Sequence, residues 1–445
     1  MTGPLLVPVG HFQGTLHGEQ TTHTVRLGTR TLQLDEADAA AWLLAHGTEE
    51  SGSRLFSRDE LAAPPDVVTR LYARGLLAEL PAAADEYAGF LANYRLEPLV
   101  HGLGNGSGGD AGRYGIGLPG TTLGRTTGLS GPWTRLSPVA YHLWRWSAVD
   151  RSLAEVCARL PVADRAAPYR LDAARAAEQA VALVASGVTG WTAALQPAAP
   201  ARLVGGEAPR LPVVEPSAGP DPEDLVDVPY APGQPGSPTL RVPRWELDPG
   251  HPGAAGWLFA AGHGGGPSYR LTDLSFEGHF VRIGRTDHPL TEGEGRLWEI
   301  TRGADAGRLW NRTAVAAAAV GDGVADAGRL LDGLLDRGVL LEVHPGTPQA
   351  VAFARAYRLL PLLHGLGDRP HDRRIFRYGV PGRRVAGSSV ETALLWRTAG
   401  RSLTLWDALV ELTGSTGTER FLTERGFAAI RRLLRDGLIC LDVAP

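Results

Sequence analysis

His101 and His364 hold the same place in two copies of one sequence. Tyr94-Arg95-Leu96-Glu97-Pro98-Leu99-Val100-His101-Gly102-Leu103-Gly104 returns as Tyr357-Arg358-Leu359-Leu360-Pro361-Leu362-Leu363-His364-Gly365-Leu366-Gly367. Two imidazoles kept in matched positions could serve as paired acid–base groups, or as ligands of one metal across a pseudo-twofold axis. The plainer reading is a histidine hydrogen-bonded beside a tight glycine turn, where it orients the loop. That reading is preferred, because an isolated histidine is seldom catalytic and no Asp or Glu sits at a matched offset in both copies. Each copy then runs into Arg-Tyr-Gly, as Arg113-Tyr114-Gly115 and Arg377-Tyr378-Gly379. The guanidinium forks of Arg113 and Arg377, with Tyr114 and Tyr378, could bind a carboxylate or phosphate. Strand alternation would equally make each pair half of a buried hairpin.

Two glycine-rich stretches carry less. Gly262-His263-Gly264-Gly265-Gly266 is comparable with an oxyanion loop, but no Gly-x-Ser-x-Gly elbow supplies a nucleophile, so it reads as a flexible loop. Gly102-Leu103-Gly104-Asn105-Gly106 lacks the strand–turn–helix setting of a nucleotide site.

Composition removes further chemistries. All 44 basic side chains of the 445-residue chain are arginine, so neither a Schiff-base lysine nor a phosphate-loop lysine exists. Two cysteines, Cys157 and Cys440, cannot build a disulfide framework or an all-cysteine metal site. A net charge of −4 provides no global basic field for nucleic acid or an anionic membrane. With no basic-plus-apolar leader and no long uncharged apolar run, the chain is expected to be cytoplasmic and to engage no membrane. No metal and no cofactor are expected.

The elements that position these residues also repeat. Val25-Arg26-Leu27-Gly28 and Thr31-Leu32-Gln33-Leu34 alternate as a hairpin. Asp35 can cap a helix bearing Ala39, Trp42 and Leu43, and Gly47 can end it. Val67, Val68, Leu71 and Tyr72 mark a second helix, and Arg74-Gly75-Leu76-Leu77 is a helix stop running into a strand. Val281-Arg282-Ile283-Gly284, Trp298, Gly303 and Arg337-Gly338-Val339-Leu340 restate this plan. Trp42, Trp144, Trp298 and Trp396 fall at equivalent helical positions, which argues core. The expected fold is α+β: tandem winged-helix-like modules, in two similar halves of two modules each. The expected boundaries are 1–82, 85–198, a Pro/Gly-rich linker at 201–254, 255–345 and 350–445. Segments such as Glu215-Pro216-Ser217-Ala218-Gly219-Pro220-Asp221-Pro222 should hold neither helix nor sheet, and cutting between residues 205 and 250 should leave two soluble fragments.

The hairpin, the Leu-Asp-Glu or Leu-Thr-Glu before an aromatic-bearing helix, and the closing Gly-apolar strand resemble the PqqD-like fold. That fold is the precursor-peptide recognition element of ribosomal peptide natural-product pathways. The resemblance covers mainly residues 20–82 and 276–344; the longer modules share it in outline. It implies a peptide-binding partner protein, non-catalytic or weakly catalytic, that presents a precursor peptide to a modifying enzyme. It also implies peptide added as a strand to the hairpin edge, at Val25, Arg26 and Leu27 and at Val281, Arg282 and Ile283. No catalytic domain accompanies the modules. Two rival functions stand beside this one. One is a subunit of a peptide-modifying enzyme with His101 and His364 at its site. The other is a winged-helix DNA-binding regulator using Arg431, Arg432 and Arg435 of the last helix.

Overall fold

The computed structural model describes residues 4–47, 55–105, 112–119, 131–163, 172–199, 211, 225–229, 239–243, 256–270, 273, 275–303, 311–380 and 383–445. It is mixed α+β, 41% helical and 34% strand, with several small sheets. One order of elements runs through it four times. In the first group, β1 (Leu5–Pro8) precedes three antiparallel strands, β2 (His11–His17), β3 (Thr21–Leu27) and β4 (Arg30–Leu34). Helices and the short β5 (Phe56–Ser57) follow, and β6 (Leu77–Leu80) returns to pair with β1. The second group has β7 (Tyr94–Pro98), the triplet β8 (His101–Asn105), β9 (Tyr114–Leu118) and β10 (Gly131–Leu136), and a closing β11 (Ala193–Pro197) on β7.

Between the halves, β12 (Leu225–Pro229) and β13 (Thr239–Pro243) pair antiparallel, so the stretch expected to be a plain linker contains a small sheet. Its strands are Val- and Leu-bearing runs between the Pro/Gly clusters; the segment 215–222 lies outside the described residues. The third group is β14 (Trp257–Ala260), β15 (His263–Tyr269), β16 (Phe276–Ile283), β17 (Thr286–Leu290) and β18 (Leu340–Val343). The fourth is β19 (Tyr357–Pro361), β20 (His364–Arg369), β21 (Asp372–Val380), β22 (Arg383–Ser389) and β23 (Ile439–Val443).

Each triplet leads into a helix that carries a tryptophan. Local chemistry starts these helices: Asp35, Ser137 and Ser389 accept from the backbone amide three residues on, and Thr291 with Glu294 forms a full capping box. The indoles are buried, and each donates its only N–H to a main-chain carbonyl. Trp42 reaches Val9 and Leu76 at 3.1 Å, Trp144 reaches Thr192 at 3.2 Å, Trp298 reaches Ala261 at 2.8 Å and Trp396 reaches Leu438 at 2.9 Å. Helix and strands are thereby locked to one another in every group.

The groups close on themselves. β2 and β20 run parallel and in contact, merging the first and last triplets into a six-stranded sheet of order β22-β21-β20-β2-β3-β4. β8 and β15 lie side by side, with the Asn105 amide bonding both ways to the backbone of Tyr269 at 2.7 and 2.8 Å. A single buried apolar cluster extends from Val7 to Val443 through all four groups, and a smaller one around Trp42 belongs to the first group alone. The halves therefore share strand contacts at two junctions and one core. A protease site inserted at 230–238, between β12 and β13, should give two fragments that still co-elute at full mass on size exclusion and part only in denaturant. Separate folded halves eluting in native buffer would refute the shared core.

Candidate functional site

The two junctions are built from one short motif. His-x-x-Gly begins the first strand of every triplet: His11 to Gly14, His101 to Gly104, His263 to Gly266 and His364 to Gly367. In each case the register slips just before the glycine, a β-bulge, and the glycine takes a positive φ between 73° and 106°. The bulges let neighbouring groups approach very closely. A Cβ on Gly367 would lie 1.8 Å from the Thr15 carbonyl oxygen, and one on Gly104 would lie 1.8 Å from that of Pro267.

The histidines meet in pairs across these junctions. His11 and His364 have ring centroids 5.3 Å apart, edge to face, and His101 stacks on His263 at 5.3 Å. His101 and His364 are thus each paired with a different histidine rather than with each other. His11 Nε2 donates to the Leu363 carbonyl at 2.5 Å, and His263 Nε2 donates to the Val100 carbonyl at 2.8 Å, so each bonds the residue preceding its partner. Leu363 is held at φ 59°, left-handed backbone that a leucine rarely adopts, and its amide donates to Leu99 at 2.8 Å.

Burial sets the charge state. It pulls His11 down to about 3, helped by the Arg26 guanidinium, and His263 down to about 3, helped by Arg282. Burial pulls His46 down to about 4. His101 and His364 lie well below the usual histidine range, again chiefly through burial. All five imidazoles are neutral at pH 7. His101 Nε2 accepts from Arg302 Nη2 at 2.7 Å. The Gly190 carbonyl favours a charged His364 ring, yet neither of its nitrogens reaches a partner with hydrogen-bond geometry. Among the described residues, no group of three or more His, Cys, Asp or Glu could hold a metal ion. The chemistry available here is structural: neutral rings that tie main chain to main chain.

A second buried feature flanks each junction. Arg26 bonds Glu97, and Arg282 bonds Asp442 at 3.1 Å with both side chains fully buried. Burial pushes Glu97 up, but Arg26 and Arg95 outweigh it and hold the carboxyl at about 2. Burial likewise opposes ionisation of Asp442, and Arg282, Arg358 and the amides of Gly284 and Val443 overcome it.

The residues expected to form a docking edge lie elsewhere than expected. Val25, Arg26 and Leu27 belong to β3, which is paired with β2 on one side and β4 on the other. Val281, Arg282 and Ile283 belong to β16, paired with both β15 and β17. Neither strand has a free edge, and Arg26 and Arg282 are spent in the buried ion pairs. The hairpin expectation was right for β3 and β4; it missed β2, whose bulge breaks the alternation that marks a strand. The two Arg-Tyr pairs are placed differently from each other. Arg377 donates to the carbonyls of Gly367 and Asp368 at 3.2 and 2.6 Å, and Tyr378 is buried, hydrogen-bonded to Ser388 at 2.8 Å. Arg113 is exposed while Tyr114 stacks on Tyr141 at 4.5 Å. His11, His46 and Arg302 were missed altogether; the fourfold His-x-x-Gly spacing is the signal that could have found His11.

No known protein family model matches this chain, and neither does any curated protein or solved structure.

The Arg282–Asp442 pair yields a stability test. Asp442→Ala leaves a buried guanidinium uncompensated and should cost about 3–5 kcal/mol in urea unfolding. The double variant Arg282→Met/Asp442→Leu should recover most of that loss. Equal destabilisation by both would show that the pair itself, rather than its uncompensated charge, is what matters.

Proposed function

We propose that this chain binds a precursor peptide and presents it to a separate modifying enzyme in a ribosomal peptide natural-product pathway. On this reading the four groups are winged-helix-like modules that arose by duplication. The observation that supports it most is the outer flank of β4. β4 ends the six-stranded sheet, and no described strand pairs with that side. The β3–β4 turn runs through Gly28 and Thr29, with Leu27 opposite Arg30 and Val25 opposite Leu32. Antiparallel pairs alternate between bonded and non-bonded, so Thr31 and Gln33 direct their N–H and C=O groups outward. Arg74, at the end of the helix Pro65–Ala73, donates to the Gln33 carbonyl and to Asp38, consistent with that direction. An extended peptide would add here, taking backbone bonds from β4 and side-chain contacts from the adjacent helix.

The corresponding edge of the third group is poorer. In β17 the outward positions are Asp287 and Pro289; an arginine takes the Pro289 carbonyl as another takes that of Gln33, but Pro289 has no N–H to offer. The first group is therefore the better peptide site.

The rival readings find less to stand on. The histidines an enzyme would use are buried and neutral. On the last helix, Arg431 packs over Trp257 at 5.6 Å and Arg435 pairs with Asp436, so only Arg432 is an exposed arginine for DNA.

Gln33→Pro removes an outward donor and should weaken precursor-peptide binding about fivefold or more, the scale of one hydrogen bond. Pro289→Gln, which restores a donor to β17, should leave affinity unchanged. Anisotropy titration of the labelled cognate peptide, after circular dichroism confirms folding, decides the matter. Wild-type affinity in Gln33→Pro would remove β4 as the docking strand.

A further inference from the structure

The two histidine junctions differ in one residue with physical consequences. Arg302 ends the helix bearing Trp298, and its guanidinium reaches across the second junction to His101. The residue in the matching place after Trp42 is His46, whose Nδ1 donates to the Trp42 carbonyl at 2.9 Å and whose ring stands edge-on to His364 at 5.9 Å. Each junction has one histidine held by an arginine, His101 by Arg302 and His11 by Arg26, so the difference falls on the other ring of the first pair, His364. The first junction has a third imidazole there, and among the described residues neither nitrogen of His364 has a partner with hydrogen-bond geometry.

We propose that the β2–β20 junction is an acid-sensitive latch, opening below neutral pH while the β8–β15 junction stays shut. Three buried neutral rings meet at the latch, His11 from β2, His46 from the first helix and His364 from β20. The charged groups facing them are few. Arg26 on β3 lies 3.2 Å from His11 Nδ1, and Glu97 on β7 is bonded to that arginine. Trp396 of the fourth group meets the His11 ring at 5.3 Å, and the Gly190 carbonyl approaches His364. Among the described residues no carboxylate contacts His46 or His364, so a proton on either finds no counter-charge there. At the far end of the strands His17 bonds Asp368 at 2.7 Å, a contact that favours closure. One such part-buried pair stands beside three fully buried rings.

The sign follows from linkage. A histidine whose closed-state pKa is depressed contributes fully above the open-state value of 6.5, and its contribution falls as pH drops toward about 4 for His46 and about 3 for His11. Each ring that gains water on opening raises the open-to-closed ratio about 30-fold between pH 7.5 and 5. Three rings act at the latch and two at the other junction, which the Arg302 bond and the Asn105 pair also brace. Glu97, held at about 2, is unaffected in this window and weakens only below the ordinary carboxylate range. The first group has an apolar core of its own around Trp42, while Val7, Val9, Leu55, Ala78 and Leu80 keep it on the shared core, so opening is confined to the β2–β20 pairing.

Hydrogen exchange on the full chain, corrected for the intrinsic pH dependence of amide chemistry, tests the latch. Between pH 7.5 and 5, protection should fall at residues 11–17 and 364–369 and persist at 101–105 and 263–269. His46→Arg copies the Arg302 arrangement and should keep the latch shut at pH 5. His364→Phe removes one proton site while keeping an aromatic ring, and should reduce opening about 30-fold at the same pH. Unchanged protection of β2 and β20, equal loss at both junctions, or wild-type opening in both variants would overturn the proposal.

Discussion

The structure depends on how closely two strands can approach where groups of elements meet. At Gly104 and Gly367 a single added Cβ would strike a neighbouring carbonyl at 1.8 Å, so the junctions tolerate no side chain there. Backbones this close leave carbonyls that ladder geometry does not satisfy, and a buried carbonyl without a donor is costly. The histidine that opens the facing strand, His11 or His263, is the remedy at Leu363 and Val100: a flat ring, neutral when buried, with one N–H to give. Lysine or arginine would bring a full charge into the same space. In β2 and β15, His-x-x-Gly is therefore one device, in which the glycine permits the approach and the histidine satisfies a carbonyl that the approach strands.

Charge is handled separately, one layer out. Arg26 and Arg282 emerge from the central strands of their triplets into the interior, and each finds a carboxylate on the neighbouring group. The carboxylates come from different strands: Glu97 is on the opening strand β7, Asp442 on the closing strand β23. Where Asp442 accepts from the Gly284 amide at 2.6 Å, the neutral Gln196 accepts from Gly28 at 2.8 Å. The geometry around the arginine has been kept while the source of negative charge has moved. Buried ion pairs of this kind add little net stability, but they fix register, because any slip leaves a guanidinium without its partner.

What the sequence revealed was local. The hairpin of β3 and β4, the Asp35 cap, the helix stop at Gly47 and the tryptophan helices follow from propensity, capping and period. What it concealed is set by distance along the chain. His11 and Leu363 are 352 residues apart, and parallel pairing of β2 with β20 leaves no local trace. With β2 unseen, β3 looked like an edge, and Val25, Arg26 and Leu27 looked available. Two of the four histidine motifs were visible because their flanking residues match; His11 and His263, flanked differently, needed the bulged strand to be recognised first.

The recurrence of one plan also explains why its edges need not be equivalent. A strand with an unpaired flank invites association, and proteins that do not use such an edge blunt it. β17 is blunted by Pro289 and by Arg337, which is held to Glu294 at 2.6 Å. β4 carries the matching arginine, Arg74, but Gln33 in place of the proline, so its donors remain. The difference between the two edges lies in one residue that cannot be read as a core requirement, since both positions face outward. Beside the donor-bearing edge of β4 the charge is already arranged, with Arg70 and Arg74 both held on the buried Asp38, so under the proposed peptide-binding role these are the side chains that an added strand would meet.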